Sequence, residues 1–414
     1  MTGETRRLYY LRSELASWDA TVVEVERLGD GERIVLDETI FYPEGGGQPC
    51  DLGTLGGLPL DRVSEDGERV CHFLKGPSGL AAGARVRLEL DAGRRRYHTQ
   101  QHSGQHLLSA ILERDYGIHT IGFHLGQEYS TIDVDCPEFP LARQREAEAK
   151  AEAFIVENHP FLIHHCDEKS AASFPLRKKL PPGESSIRIA EIQGYDWVAC
   201  CGTHVSSAKD IRALALLSTE RYKGNTRVYF LAGDKALAWM RGEALALGEI
   251  AAGLGTSPRE AKARIEALAA KAESLEAENA RLRRQRAEAD IRAAALSEGG
   301  EATMLTFSFS DRDAEEAAET AKAGPRLGFD TLCMSEPDKT VLASFRADSA
   351  RPGEEKLLID TLKAMLGGLG GRGGGGKGNF RASFPELEKA RAFYEGAFRV
   401  LSDFSQRQGP SVVR

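Results

Sequence analysis

Two short phrases constrain this chain more than any other part of it. The first is His102-Ser-Gly-Gln-His106 and the second, roughly a hundred residues later, is Cys200-Cys-Gly-Thr-His204. His102 and His106 stand directly before the apolar run Leu107-Leu108-Ser-Ala-Ile111-Leu112. A four-residue step is about one helical turn, so both imidazoles share one face of a predicted helix. Cys200 and His204 repeat that spacing. Together the phrases offer imidazoles and a thiolate, the donor set that zinc prefers. A closed structural zinc site usually takes more cysteines in tight knuckles. Dominant imidazoles on widely separated pairs favour an open, working site instead. Ser103 occupies the place of the glutamate that a zinc metalloprotease needs, which excludes that class.

Composition bounds the rest. A length of 414 residues predicts several domains, and 41% hydrophobic with 28% charged residues is ordinary for a globular protein. No apolar run is long enough to span a bilayer, and the first residues carry no secretory apolar core. Seven cysteines, an odd number without disulfide-like spacing, predict a reducing cytoplasm. A net charge of -8 argues against a uniformly cationic nucleic-acid binder but leaves room for a basic patch. The segment 341–414 holds 12 Lys/Arg against 8 Asp/Glu and is the least acidic place for a polyanion.

The expected fold class is α+β multidomain, in four parts. Residues 1–92 alternate polar and apolar in short runs such as Ala84-Arg-Val-Arg-Leu-Glu-Leu90, punctuated by glycine turns, which predicts a small β-barrel. Residues 93–233 mix helices and strands around both metal phrases, with the first phrase opening a helix that ends near Gly117. Residues 234–298 read as a helical hairpin or coiled coil. Its second helix starts at a capping box, Ser257-Pro-Arg-Glu260, and carries Ile265, Leu268, Leu275 and Leu282 with Asn279 in the seam. A homodimer through 257–290 or through the last part is an expectation of that seam. Residues 299–414 read as an α/β module containing the run Gly371-Arg372-Gly-Gly-Gly-Gly-Lys377-Gly378. The run imitates a phosphate loop, but Gly378 stands where a magnesium-binding hydroxyl belongs, so ATP hydrolysis is not expected. A bend bringing backbone amides, Arg372 and Lys377 to an RNA phosphate is.

A third phrase is Phe41-Tyr-Pro-Glu44-Gly-Gly46-Gly47-Gln48-Pro, whose glycines permit close approach of backbone to a ligand. The three phrases together resemble the editing domain of alanyl-tRNA synthetases, most of all its free-standing relatives, the alanyl-tRNA editing proteins. Leu217-Ser-Thr-Glu-Arg-Tyr-Lys-Gly-Asn-Thr-Arg227 resembles the family's closing strand pair, and the late glycine run its C-terminal module. The resemblance implies a translation-factor-like barrel, a zinc editing fold, and hydrolysis of the ester joining serine, or glycine, to tRNA(Ala). It implies zinc ligands at His102, His106, Cys200 and His204. It implies that Gln48 and its glycines face the aminoacyl end. Gln48 and Thr203 are then the candidate catalytic residues, and Glu44, Gly46, Gly47 and Gln105 the candidate substrate contacts. A chain that starts at the barrel leaves no room for an aminoacylation domain, so editing in trans is expected over charging.

Cys201 departs from the family phrase, which has glycine there. If that glycine needs positive φ, the cysteine adds strain. His98, one turn before His102, is a candidate further ligand or supporting residue, whereas His164-His165 match no phrase. Serine exceeds alanine by a hydroxyl, so selectivity requires a group that bonds it, for which Thr120, His124 and Ser130 are candidates. Two other readings stay open: a non-catalytic tRNA-binding protein with a structural zinc, and a zinc hydrolase of another aminoacyl ester.

Overall fold

The computed structural model describes residues 4–180, 186–298, 302–346 and 353–408. They form two compact units, Met1–Ile250 and Ala251–Arg414, of mixed α and β structure. Among the described residues no helix is long and apolar enough to cross a membrane.

In the first unit, six strands close into a barrel. Their order is Ser17–Leu28, Gly31–Leu36, Arg69–Leu74, Leu58–Asp66, Gly53–Leu55 and Arg85–Leu90, which pairs back to the first. Alternate residues such as Ile34, Leu36, Val70 and Leu88 fill its interior. The chain then enters a helix, Ala92–Tyr116, capped by the Asp91 side chain and ended by Gly117 in the left-handed conformation at φ 64°.

That helix starts ten residues before the first metal phrase, which therefore sits at mid-helix rather than opening it. Its N-terminal half hides from a hydrophobic pattern because its buried residues are polar. Arg95 pairs with buried Asp51 through Nε at 3.0 and 3.1 Å. Gln101 exchanges bonds with the backbone of Ala232, Nε2 donating at 2.6 Å and Oε1 accepting at 3.0 Å. The C-terminal half is apolar: Leu107, Leu108, Ile111 and Leu112 pack on Ile132, Val228 and Phe230.

Those partners belong to a four-stranded antiparallel sheet in the order Leu214–Tyr222, Asn225–Ala232, Ser130–Val134, Thr120–Leu125. A second helix, Leu141–Glu157, adds Ala147, Ala151 and Ile155 to the same core. A separate three-stranded sheet, Phe161–Cys166, Ile187–Ile192 and Asp196–Ala199, ends just before Cys200.

In the second unit, a 37-residue helix, Ala261–Ser297, leaves Ile265, Leu268, Leu275 and Leu282 exposed. Its start corrects the capping-box expectation. Ser257 Oγ donates to the Glu260 carboxylate at 2.9 Å instead of capping a backbone amide, and the helix begins after Glu260. The sheet order is Met304–Phe309, Asp330–Ser335, Thr340–Ser344, Asn379–Ser383, Arg372–Gly376, the first pair parallel and the rest antiparallel.

The glycine run is thus an edge strand and not a phosphate-binding bend. Lys377 and Gly378, at φ 52° and 74°, make the two-residue turn back into Asn379–Ser383. A Cβ on Gly373 or Gly375 would lie 2.1 Å from the carbonyl oxygen of Arg381 or Asn379. Close approach of two backbones accounts for those glycines.

Candidate metal centre

The four donors of the two phrases converge. The ligand-capable atoms of His102, His106, Cys200 and His204 all lie within 4.8 Å of one another. Cys200 Sγ is 3.2 Å from His102 Nε2, and His204 Nε2 is 3.4 Å from His106 Nε2. The helix supplies two rings with centroids 4.9 Å apart, and the loop after Asp196–Ala199 brings the other two donors onto them.

That loop is held by bonds from four parts of the chain. Arg188 Nη1 donates to the carbonyls of Cys200 and Gly202 at 2.7 and 3.0 Å. Tyr10 Oη donates to the Cys201 carbonyl at 2.6 Å, and the Val205 amide donates to Ser103 Oγ at 3.0 Å. The Thr203 amide donates to Gln48 Oε1 at 3.0 Å. The same oxygen stands 2.9 Å from His102 Nδ1. An amide oxygen can only accept, so this contact places the His102 proton on Nδ1 and leaves Nε2 free for a cation. Gln48 Nε2 donates to Thr203 Oγ1 at 3.0 Å, which lies 2.8 Å from Thr99 Oγ1.

Burial sets the charge state. Loss of hydration pushes His102 down to about 3 and holds His106 and His204 well below the ordinary imidazole value. It pushes the Cys200 thiol up to about 11. Three neutral imidazoles and a thiol present lone pairs with no carboxylate among them. Among the described residues no group meets hydrogen-bond geometry at buried His204 Nδ1. Such a donor set fits a zinc-sized cation, whose binding would displace the thiol proton.

A cleft of about 380 Å³ opens onto these groups. Gly46, Gln105 and Phe123 line it, with His102, His106 and Cys200 in its wall. Gly46 and Gly47 have φ of 57° and 79°, and a Cβ on Gly47 would stand 2.6 Å from the Phe123 ring. Gln105 Nε2 donates to Ser109 Oγ at 2.8 Å, which is 2.7 Å from Thr120 Oγ1. This buried hydroxyl chain leads away from the cleft.

Other expected residues stand elsewhere. Gln48 and Thr203 are 1% and 3% exposed behind His102, where they orient it and do not line the cleft. Glu44 is exposed and outside the lining. Among the hydroxyl-reading candidates only Thr120 connects to the cleft. His124 is exposed, and Ser130 Oγ donates to Gln101 at 3.3 Å. His98 is buried, its Nδ1 has no hydrogen-bond partner among the described residues, and it lies outside the four-donor group. Arg372 and Lys377 are exposed in the second unit.

Cys201 does not have positive φ, so its replacement of glycine costs no backbone strain. Gly202 is the demanding position, since a Cβ there would lie 2.0 Å from the His102 ring. Tyr10, Lys178 and Arg188 also line the cleft, and sequence reasoning passed over them. Only a polar residue inside the apolar strand 187–192 could have pointed to Arg188.

The first unit is therefore an α+β protein with a three-histidine, one-cysteine centre, partly buried, at the side of a cleft. A family model for the threonyl and alanyl tRNA synthetase second additional domain matches residues 187–229. The chain is 30% identical over 250 residues to alanyl-tRNA editing protein AlaX-M of Methanosarcina barkeri, covering 56% of this chain and 100% of that protein. It is 34% identical over 242 residues to AlaX-L of Pyrococcus horikoshii, covering 56% and 59%. With Aarsd1 of Mus musculus it shares 35% identity over 213 residues, 51% of each chain. The chain belongs to the alanyl-tRNA editing proteins, and its match spans about half the length of the vertebrate members.

Proposed function

We propose that the chain is a trans-editing hydrolase that cleaves the ester between serine, or glycine, and tRNA(Ala), working in the cytoplasm with one zinc ion. The observation that carries this reading is the convergence of His102, His106, Cys200 and His204 beside a cleft, in a member of the alanyl-tRNA editing proteins. Bound zinc would supply Lewis acidity toward an ester carbonyl or a water.

The chain's own residues do the rest. Gln48 holds the His102 proton on Nδ1, Thr203 holds Gln48, and Thr99 holds Thr203. These are positioning roles, because none of the three touches the cleft. Gly46 and Phe123 shape the wall against which the aminoacyl end lies. The chain Gln105–Ser109–Thr120 supports a reader of the serine hydroxyl, since a pocket built to bond a hydroxyl disfavours alanine.

The test is single-turnover hydrolysis of Ser-tRNA(Ala) and Ala-tRNA(Ala) before and after zinc removal. Zinc-dependent loss of serine with alanine spared is expected. Hydrolysis of neither ester by zinc-loaded protein would overturn the reading.

A further inference from the structure

Among the described residues the charges lining the cleft do not balance, and the imbalance lies on one wall. Glu65 faces the cleft but is held by Arg7 at 3.5 Å. Arg177 is matched by Asp196 at 2.9 Å. Lys178 and Arg188 line the same cleft, and neither has a carboxylate within ion-pair distance among the described residues. Arg188 spends one nitrogen on two carbonyls and lies 4.6 Å over the Tyr10 ring, contacts that bring no carboxylate to it among the described residues. Lys178 makes no hydrogen bond or ion pair among the described residues, and Glu113 acts on it only at longer range. Loss of hydration, then the Arg177 cation, lowers its pKa, so an anion there would be welcomed.

Two unpaired cations in a cleft recognise an anion. We propose that Lys178, backed by Arg188, seats the phosphodiester of the 3′-terminal nucleotide whose ester is cleaved, and so places that ester against the metal-binding wall. This rests on the editing reading above and goes beyond it by naming a positioning residue for the nucleic-acid end of the substrate. Lys178 is the informative position, because Arg188 also pins the Cys200–Gly202 loop.

The experiment compares two esters on the zinc-loaded full chain: seryl-tRNA(Ala), which carries the phosphodiester, and 3′-seryl-adenosine, which does not. Lys178→Ala is expected to raise KM for seryl-tRNA about tenfold, the size of one charge-assisted hydrogen bond, with kcat within about twofold. The log KM against log salt slope should fall by about 0.7, the amount for one single-strand phosphate. Lys178→Arg should restore both. Hydrolysis of seryl-adenosine should be the same in all three proteins. An unchanged KM and salt slope in Lys178→Ala, or an equal loss on both esters, would overturn the proposal while leaving the editing reading intact. A wild-type protein that cleaves neither ester would end that reading, and the proposal with it.

Discussion

Two glycine runs look alike on paper, Gly45–Gly47 and Gly373–Gly376, and they do different work. In the first, Gly46 and Gly47 take positive φ, and the missing Cβ of Gly47 makes room for the Phe123 ring beside the cleft. In the second, Gly373 and Gly375 lie in an edge strand, and the missing Cβ admits carbonyls of the neighbouring strand. A glycine run says that something comes close. What comes close, a ring at a binding cleft or another backbone in a sheet, is decided by tertiary placement.

If the first run marks chemistry and the second only architecture, their neighbourhoods should respond oppositely to substitution. The largest effect belongs to the donors themselves. Cys200→Ala removes the one anionic ligand available to a cation, and deacylation of seryl-tRNA should fall by about 10³ or more, roughly 4 kcal/mol. Metal analysis should find the zinc lost while the circular dichroism of the barrel persists. Full activity would sink the zinc assignment. Next comes Gly202→Ala. Its Cβ would stand 2.0 Å from His102, forcing the ring off Gln48. A zinc affinity lower by about 10 to 100-fold is expected, as for lost ligand orientation, and equilibrium dialysis would measure it.

The donor set was legible in the sequence because metal chemistry fixes both residue type and spacing. The helix under it was not legible from its true start. Arg95, Gln100 and Gln101 are buried through an ion pair and backbone bonds, which no apolar period reports. Gln48 was expected at the aminoacyl end; its Oε1 stands against His102 Nδ1, and it is not among the residues that line the cleft. Lys178 and Arg188 were invisible because a cation's meaning depends on whether an acid stands opposite, and that is a fact of folding.

A buried histidine outside the centre sharpens the contrast between chemistry and architecture. His72 lies in the barrel, bonded to Thr39 Oγ1 and the Ile34 carbonyl at 2.8 and 3.1 Å, and burial lowers it to about 4. The folded value is below the ordinary 6.5, so the unfolded chain binds the extra proton first. Its contribution is complete above about pH 6.5 and is lost as pH falls toward 4. Between pH 7.5 and 5 that amounts to about 2 kcal/mol of barrel stability. His72→Gln should flatten the urea midpoint against pH by that amount and leave zinc content unchanged. An identical pH slope in wild type and variant would remove His72 as a contributor.

Thr120→Val tests whether the hydroxyl chain behind Gln105 reaches the substrate. Loss of one neutral hydrogen bond is worth about 1 to 1.5 kcal/mol, so serine-over-alanine selectivity should fall roughly five- to tenfold. Selectivity measured as the ratio of kcat/KM values, if unmoved, would place the hydroxyl reader elsewhere.

The smallest effects on activity belong to the second glycine run, where two neighbours should nonetheless disagree in stability. Gly373→Ala puts a methyl 2.1 Å from the Arg381 carbonyl oxygen, backbone that has to move for it. Overpacking of this kind costs about 1–3 kcal/mol. Gly376→Ala meets nothing within 4 Å and its φ is not positive, so the change should be within about 0.5 kcal/mol and of either sign. Hydrogen exchange of the hairpin Arg372–Gly376 and Asn379–Ser383 reads both directly, since local opening follows local stability. Neither variant should alter kcat for seryl-tRNA, because no atom of this hairpin lines the cleft of the first unit. Fast exchange in Gly373→Ala with native exchange in Gly376→Ala would establish backbone approach as the reason for glycine here. Equal exchange in both would mean that the run is held by something other than the carbonyls it faces.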